Sequence, residues 1–264
     1  MVYFFIHTPK TSGTTFVDIL SKDKNNLIGY FYPSRREVYD FEQTIKNAPY
    51  KHLKNNPDWR KFRFIAGHFT FGMHEIFKTD QFKYLTVFRN PMHHYFSTYR
   101  AFLRMPDPYK RHLLPDSSHF SIEDFTGMEY SHNLQTFFLS GLSHSDIRRD
   151  KENAFDVTVQ NIEKYFAGIF PTERFDAGLF YLKQKIGIKP EYYRRKNIGT
   201  NYLKPETFFR VRNRITEVND VDFRIYRYIC KRFNEEIKRI PGFTRDLWRF
   251  KIFNYFYKTG FLKS

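Results

Sequence analysis

The stretch FFIHTPKTSGTTF, residues 4–16, runs from apolar residues into a lysine, a glycine and a cluster of hydroxyls. Gly13 permits close backbone approach to a ligand. The amides of Gly13, Thr14 and Thr15 stand at an expected helix start, where they can point at an anion, and Lys10 adds a mobile cation. The hydroxyls of Thr11, Ser12, Thr14 and Thr15 can donate further hydrogen bonds. In the triphosphate-binding pattern G-x-x-x-x-G-K-[ST] the lysine follows the second glycine and a hydroxyl holds magnesium. Here Lys10 precedes Gly13, so the ingredients of an anion cradle are present in another order. Short turns of this composition also join strands to helices without binding anything.

A second constellation lies in TVFRNPMHHYFSTY, residues 86–99. Arg89 ends an apolar run, and Ser97 falls on a helix that Pro91 can open. An arginine fork suits a phosphate, and a serine hydroxyl can complete the contact. The structural alternative is an arginine paired with a carboxylate and a serine satisfied within its own helix. His68 follows Ile65, Ala66 and Gly67 at the end of another expected strand. A histidine there can accept a proton near neutral pH, or can orient the neighbouring loop by hydrogen bonding. His74, beside Glu75, competes for the base role, whereas His93 and His94 either bind near the second motif or face outward.

Together, TPKTSGTT and FRNPMHHYFS resemble the two cofactor-binding elements of sulfotransferases that use 3′-phosphoadenosine 5′-phosphosulfate (PAPS). The nearest resemblance is to the branch of bacterial sulfotransferases and glycan (heparan sulfate type) O-sulfotransferases. AGHFTFGMHE, NLQTFFLSG and FAGIFPTERFD share in it, so that it spans roughly residues 3–185. The resemblance implies that Lys10, Gly13, Thr14 and Thr15 hold the 5′-phosphosulfate, the hydroxyls of Thr11 and Ser12 in the same loop adding to the cofactor site, and that Arg89 and Ser97 hold the 3′-phosphate. It implies a histidine base, with His68 the counterpart and His74 the alternative. The product would be adenosine 3′,5′-bisphosphate and the acceptor a hydroxyl carried by a carbohydrate, an acidic glycan being one candidate. Two departures stand out, Ser12 where glycine or alanine is frequent and Asn90 where aspartate is common. Neither removes a charged contact. Rival readings are a P-loop nucleotide kinase, against which the glycine-lysine order speaks, and a basic nucleic-acid-binding protein, suggested by YYRRKN and the many aromatics.

The elements that must position these residues follow from periodicity. Val2 to Ile6 is a continuous apolar run, as for a strand buried on both faces of a parallel sheet. Gly13 to Leu20 reads as a helix, SRREVYDFEQTIKN as another opened by Ser34 and Glu37 as a capping box, and residues 61–69 and 82–91 contain two more strands. SHNLQTFFLSG and ENAFDVTVQNIEKY look helical and YFAGIF extended. Thr172 can cap the next helix, and Asn219 one in which Phe223, Tyr226, Cys230, Phe233 and Ile237 recur at helical spacing. The expected fold is α/β: a P-loop-like, doubly wound parallel sheet flanked by helices, one domain over residues 1–264. Its core spans about 1–188, followed by a basic connection and a C-terminal helical region. The Met105 to Ser121 loop and the basic 189–206 segment are candidates for acceptor contact.

Composition bounds the rest. Lys+Arg 44 against Asp+Glu 28 gives a net charge of +16 and favours an anionic partner. The single cysteine excludes an intramolecular disulfide, and no cysteine-histidine spacing suggests a metal site, so no metal is expected. With no leader-like segment before Val2 and no apolar run near the ~18 residues of a membrane span, the expected location is cytoplasmic. The aromatic share of 20% is expected to fill the core more than to stack on ligands.

Overall fold

The computed structural model describes residues 1–32, 58–104, 120–189, 192–193 and 205–259. Five strands form one sheet: β1 (Val2–Ile6), β2 (Ile28–Phe31), β3 (Phe64–Gly67), β4 (Phe82–Phe88) and β5 (Phe166–Pro171). Their order is β2-β3-β1-β4-β5, with every pairing parallel. Parallel strands need crossover connections, which cover both faces of the sheet, and this is why the strands read as unbroken apolar runs.

One face carries Phe4, Ile6, Ile65, Tyr84 and Phe88. It packs beneath α5 (Leu134–Ser140), α7 (Lys151–Tyr165) and the first half of α10 (Asp220–Lys238), through Phe137, Phe138, Ala154, Ile162, Val221, Ile225 and Ile229. The other face carries Phe5, Phe64, Ala66, Leu85 and Val87 beneath α1 (Gly13–Lys22), α8 (Phe175–Ile186) and α11 (Phe243–Thr259). A third cluster joins α3 (Pro91–Leu103), α4 (Ile122–Gly127) and α9 (Pro205–Val218) through Tyr95, Phe96, Tyr99, Phe102, Phe125, Val211 and Ile215. Two short helices, α2 (Met73–Ile76) and α6 (His144–Arg149), complete the described elements together with three single-turn 3₁₀ segments.

The topology fixes where a ligand belongs. From β1 the chain steps out to β2 and returns through β3 on one side, then crosses to β4 and β5 on the other. The connections leaving β1 and β4 therefore diverge from adjacent strands, opening a crevice between their carboxyl ends. Both chemistry-bearing loops of the sequence emerge there.

Some sequence expectations change. Thr172 lies in a 3₁₀ turn before α8 and does not cap it, because its hydroxyl donates to the carbonyl of Thr11 at 3.0 Å. Asn219 occupies the N-cap position of α10 without a side-chain cap bond; its Oδ1 accepts from the Asn133 amide at 2.9 Å instead. The buried stripe of α10 is Val221, Asp222, Ile225, Ile229 and Phe233, rotated by about one residue from the predicted one. Cys230 is consequently half-buried rather than a core residue. The capping box at Ser34 and Glu37 lies outside the described residues, as do residues 105–119, 190–191 and 194–204, the greater part of the 189–206 segment.

Candidate active site at the carboxyl edge

The loop between β1 and α1 is held through its carbonyls. Five in a row each accept a side-chain hydrogen bond. His68 Nδ1 donates to the His7 carbonyl at 2.5 Å, and Thr11 Oγ1 to Thr8 at 2.8 Å. His94 Nε2 donates to Pro9 at 2.9 Å, Arg89 Nη1 to Lys10 at 2.9 Å, and Thr172 Oγ1 to Thr11. In a planar trans peptide the N–H points opposite to the C=O. Fixing the carbonyls on the protein side thus turns the amides of Thr8, Lys10, Thr11 and Ser12 the other way, Pro9 having none. Lys10 and Ser12 both adopt left-handed backbone, with φ of 67° and 70°. Such conformations cost about 1 kcal/mol or more for residues with a Cβ and persist only where surroundings enforce them. The five donors are that enforcement.

The loop feeds directly into α1, whose first turn carries no acidic residue and no side-chain cap bond from Ser12. The partial positive end of the helix dipole is thus left for another anion. Thr14 is exposed, Ser12 partly so, and Thr11 and Thr15 are buried. Gly13 has a second reason to be glycine. A Cβ there would stand 2.0 Å from Cδ2 of His7, whose imidazole fills the space.

The cations converge more fully than two motifs suggest. Lys10 titrates below the ordinary lysine range, first because it is partly buried and then because Arg104, Arg89 and Arg100 surround it with positive charge. Arg100 and Arg104 belong to the α3 row that begins at His94 and Ser97, each three or four residues on, so one helix face turns toward the loop. Ser97 is buried in that row. Asn90 caps α3 by accepting from the Met92 and His93 amides at 3.1 and 3.4 Å, with Pro91 in the first helical position.

The Arg89 peptide is fixed from both sides. Its N–H donates to Gln135 Oε1 at 2.7 Å, and its carbonyl accepts from Gln135 Nε2 at 2.9 Å. Gln135 is completely buried at the start of α5. The buried Asp222 carboxylate caps that helix, accepting from the amides of Gln135 and Thr136 and from the Thr136 hydroxyl. Burial raises the Asp222 pKa to about 6 against the opposing effect of these donors.

His68 does what the structural alternative proposed: it orients the loop. A carbonyl can only accept, so Nδ1 carries the proton, and in the neutral ring Nε2 is then an acceptor. Burial pushes the pKa down to about 4, opposed by the bond to His7. His7 sits beside it because Ile6 pairs with Gly67, which makes the residues following both strands neighbours, with ring centroids 4.6 Å apart. His7 Nδ1 lies 2.7 Å from the Tyr32 hydroxyl. Sequence reading passed over His7, although its position directly after β1, matched to His68 directly after β3, was the available signal. His94, placed outward or on a ligand by the sequence, is buried and pinned to Pro9. His93 is exposed, 3.7 Å from Glu173.

His74 is not brought to this edge. Its ring stacks on Phe82 at 4.1 Å, its Nδ1 lies 2.9 Å from the Tyr84 hydroxyl, and Tyr165 closes the cage. Phe82 pairs with Val2 and Tyr165 immediately precedes β5, so His74 marks the amino end of the sheet.

A parallel α/β sheet thus carries a loop of tethered carbonyls, an uncapped helix start and clustered cations at its switch point. The sequence model of the galactose-3-O-sulfotransferases matches residues 2–245, nearly the whole chain. The chain belongs to that family, and with it to sulfotransferases acting on carbohydrate. No curated protein matches the chain in a sequence comparison.

Proposed function

We propose that the protein transfers a sulfuryl group from PAPS to a hydroxyl of a galactose-containing carbohydrate. The observation that carries this reading is the run of five tethered carbonyls, which turns a loop of ordinary residues into a preorganised array of donors beside Lys10. Preorganised donors stabilise charge without reorganising during reaction, the main need of a transfer in which the departing oxygen becomes anionic.

In this reading the loop amides, Lys10 and the start of α1 hold the 5′-phosphosulfate, while Arg89 and Ser97 hold the 3′-phosphate. The donor supplies a sulfuryl group whose bond to a phosphate oxygen breaks as a bond to the acceptor oxygen forms. Nε2 of His68 takes the acceptor's hydroxyl proton. Its Nδ1–H stays on the His7 carbonyl and fixes the tautomer. Burial keeps the ring neutral at physiological pH, which leaves the Nε2 lone pair available while lowering its basicity. Arg100 and Arg104 add positive potential around the bound donor and steer an anionic substrate to the crevice.

Thermal stabilisation tests the donor site. Adenosine 3′,5′-bisphosphate is expected to raise the melting temperature more than ATP or an oligonucleotide, and Arg89→Ala to abolish that preference. Greater stabilisation by ATP would support a nucleotide kinase, and by the oligonucleotide a nucleic-acid-binding protein. Incubation with PAPS and a panel of galactosides, read by product mass, tests the acceptor. Sulfation of sugars lacking galactose in preference to galactosides would overturn that half of the reading.

A further inference from the structure

The geometry points to a second functional surface: we infer that α11 lies flat on a negatively charged lipid bilayer. This helix has two apolar faces. The inner one buries Phe243, Phe250 and Asn254 against the core, with Leu247 beside them. At ~100° per residue, Trp248, Ile252, Tyr255 and Phe256 form a stripe on the opposite side. Trp248 is 65% exposed, Tyr255 64% and Phe256 41%; Phe253, at 49%, lies at the stripe's border and leans on Tyr192. A continuous exposed aromatic strip on a folded surface marks a place where something docks.

Charge selects the occupant. Arg249 flanks the stripe on one side and Lys251 on the other, and Arg245 heads it near the helix start, all exposed. The sole acid of the helix, Asp246, is turned away from the stripe and pairs with Arg245 at 3.1 Å. Aromatic rings between cationic margins match the boundary of a bilayer, where indole and phenol sit at headgroup depth and lysine or arginine reaches anionic phosphates. Ile252 stands between Trp248 and Tyr255, and the stripe offers no amide or carboxylate for sugar hydroxyls or base edges. Lipid is therefore favoured over a glycan or nucleic acid. None of the described helices is long and apolar enough to cross a membrane, so the proposed contact is along the surface.

The test uses the full chain and flotation with vesicles of phosphatidylcholine, alone or mixed with phosphatidylserine. Binding is expected only with phosphatidylserine present and is expected to fall as salt rises. Trp248 reports on it directly, because the other tryptophan, Trp59, is 6% exposed in the core. Its emission should shift to shorter wavelength on binding. Trp248→Ser with Tyr255→Ser, and separately Arg249→Glu with Lys251→Glu, are each expected to cut the bound fraction about tenfold or more while leaving the melting temperature unchanged. Absence of vesicle binding, or binding indifferent to both pairs of substitutions, would overturn the inference. So would these residues instead mediating dimerisation in size-exclusion chromatography or retention on an immobilised polyanionic glycan. Because none of these outcomes depends on sulfuryl transfer, failure here leaves the proposed activity standing.

Discussion

The two ends of the sheet both set a histidine among aromatic rings, yet they use it oppositely. At the amino end His74 is part of the packing: it stacks on Phe82 and shares a hydrogen bond with Tyr84. At the carboxyl end His68 and His94 spend one nitrogen each on a loop carbonyl and hold left-handed backbone in place. At the amino end one hydroxyl, that of Tyr84, serves the His74 ring and the amides of Gly72 and His74 together. Side chains at the carboxyl end hold the carbonyls of one loop, from His7 to Thr11. That difference separates a structural histidine from a site histidine better than exposure does, since both His68 and His74 are partly exposed.

Exchanging the histidines should show the contrast most strongly. His68→Ala is expected to lower turnover by ~10²–10⁴-fold, the usual worth of a general base. His74→Ala should leave turnover near normal while lowering stability by about 1–2 kcal/mol through lost packing. Equal turnover losses in steady-state assays, or none for His68→Ala, would erase the distinction between the ends. Next comes Lys10→Ala, expected to cost ~10²–10³-fold in turnover with a native melting curve. A near-normal rate would remove Lys10 from the proposed chemistry.

Acid should then weaken the carboxyl end selectively. Burial, with the charges of Arg89 and Lys10 adding to it, lowers His94 from 6.5 to about 4 against the bond to Pro9. The unfolded chain therefore takes up this proton more readily. The stabilisation from keeping His94 neutral is complete above about pH 6.5 and is lost as pH falls toward 4, amounting to about 3 kcal/mol across that window. Urea unfolding over this range should show the slope, to which His68 contributes as well, and His94→Gln, which keeps a donor without titrating, should reduce it; an unchanged slope would exclude His94 as a source. The smallest effect sharpens one contact. Gly13→Ala places a methyl against His7 and is expected to cost about 1–3 kcal/mol. His7→Ala in the same chain should recover part of that loss, and a purely additive double variant would show that the clash is not the cause.

Four of the strands were legible because burial on both faces leaves an apolar signature, whereas β2, at the sheet edge with Tyr30 51% exposed, was not read. Lys10 and Arg89 were legible as anion-binding types, and the fold brings them together through the Lys10 carbonyl. The identity of the donors to that loop was hidden, since His94 reaches Pro9 and Thr172 reaches Thr11 only after the crossovers have set strand order. Arg100 and Arg104 could have been read as continuations of the Ser97 row. Thr172 and Asn219 misled for a common reason: a short polar side chain that favours capping also serves any nearby backbone group, and here the distant partner won. In α10 the expected stripe failed because buried Asp222, which caps another helix, does not look like a core residue.

Gln135 completes the β4 edge in an unusual way, since one side-chain amide answers both the N–H and the C=O of Arg89, as the next residue of a neighbouring strand would. It acts as a one-residue prosthetic strand, and α10 supports it through Asp222 across a sequence separation of 87. The arginine's aim therefore depends on α10 as well as on the sheet that carries it. Amide exchange at Arg89 should accordingly follow the opening of α10 rather than the melting of the sheet that carries it.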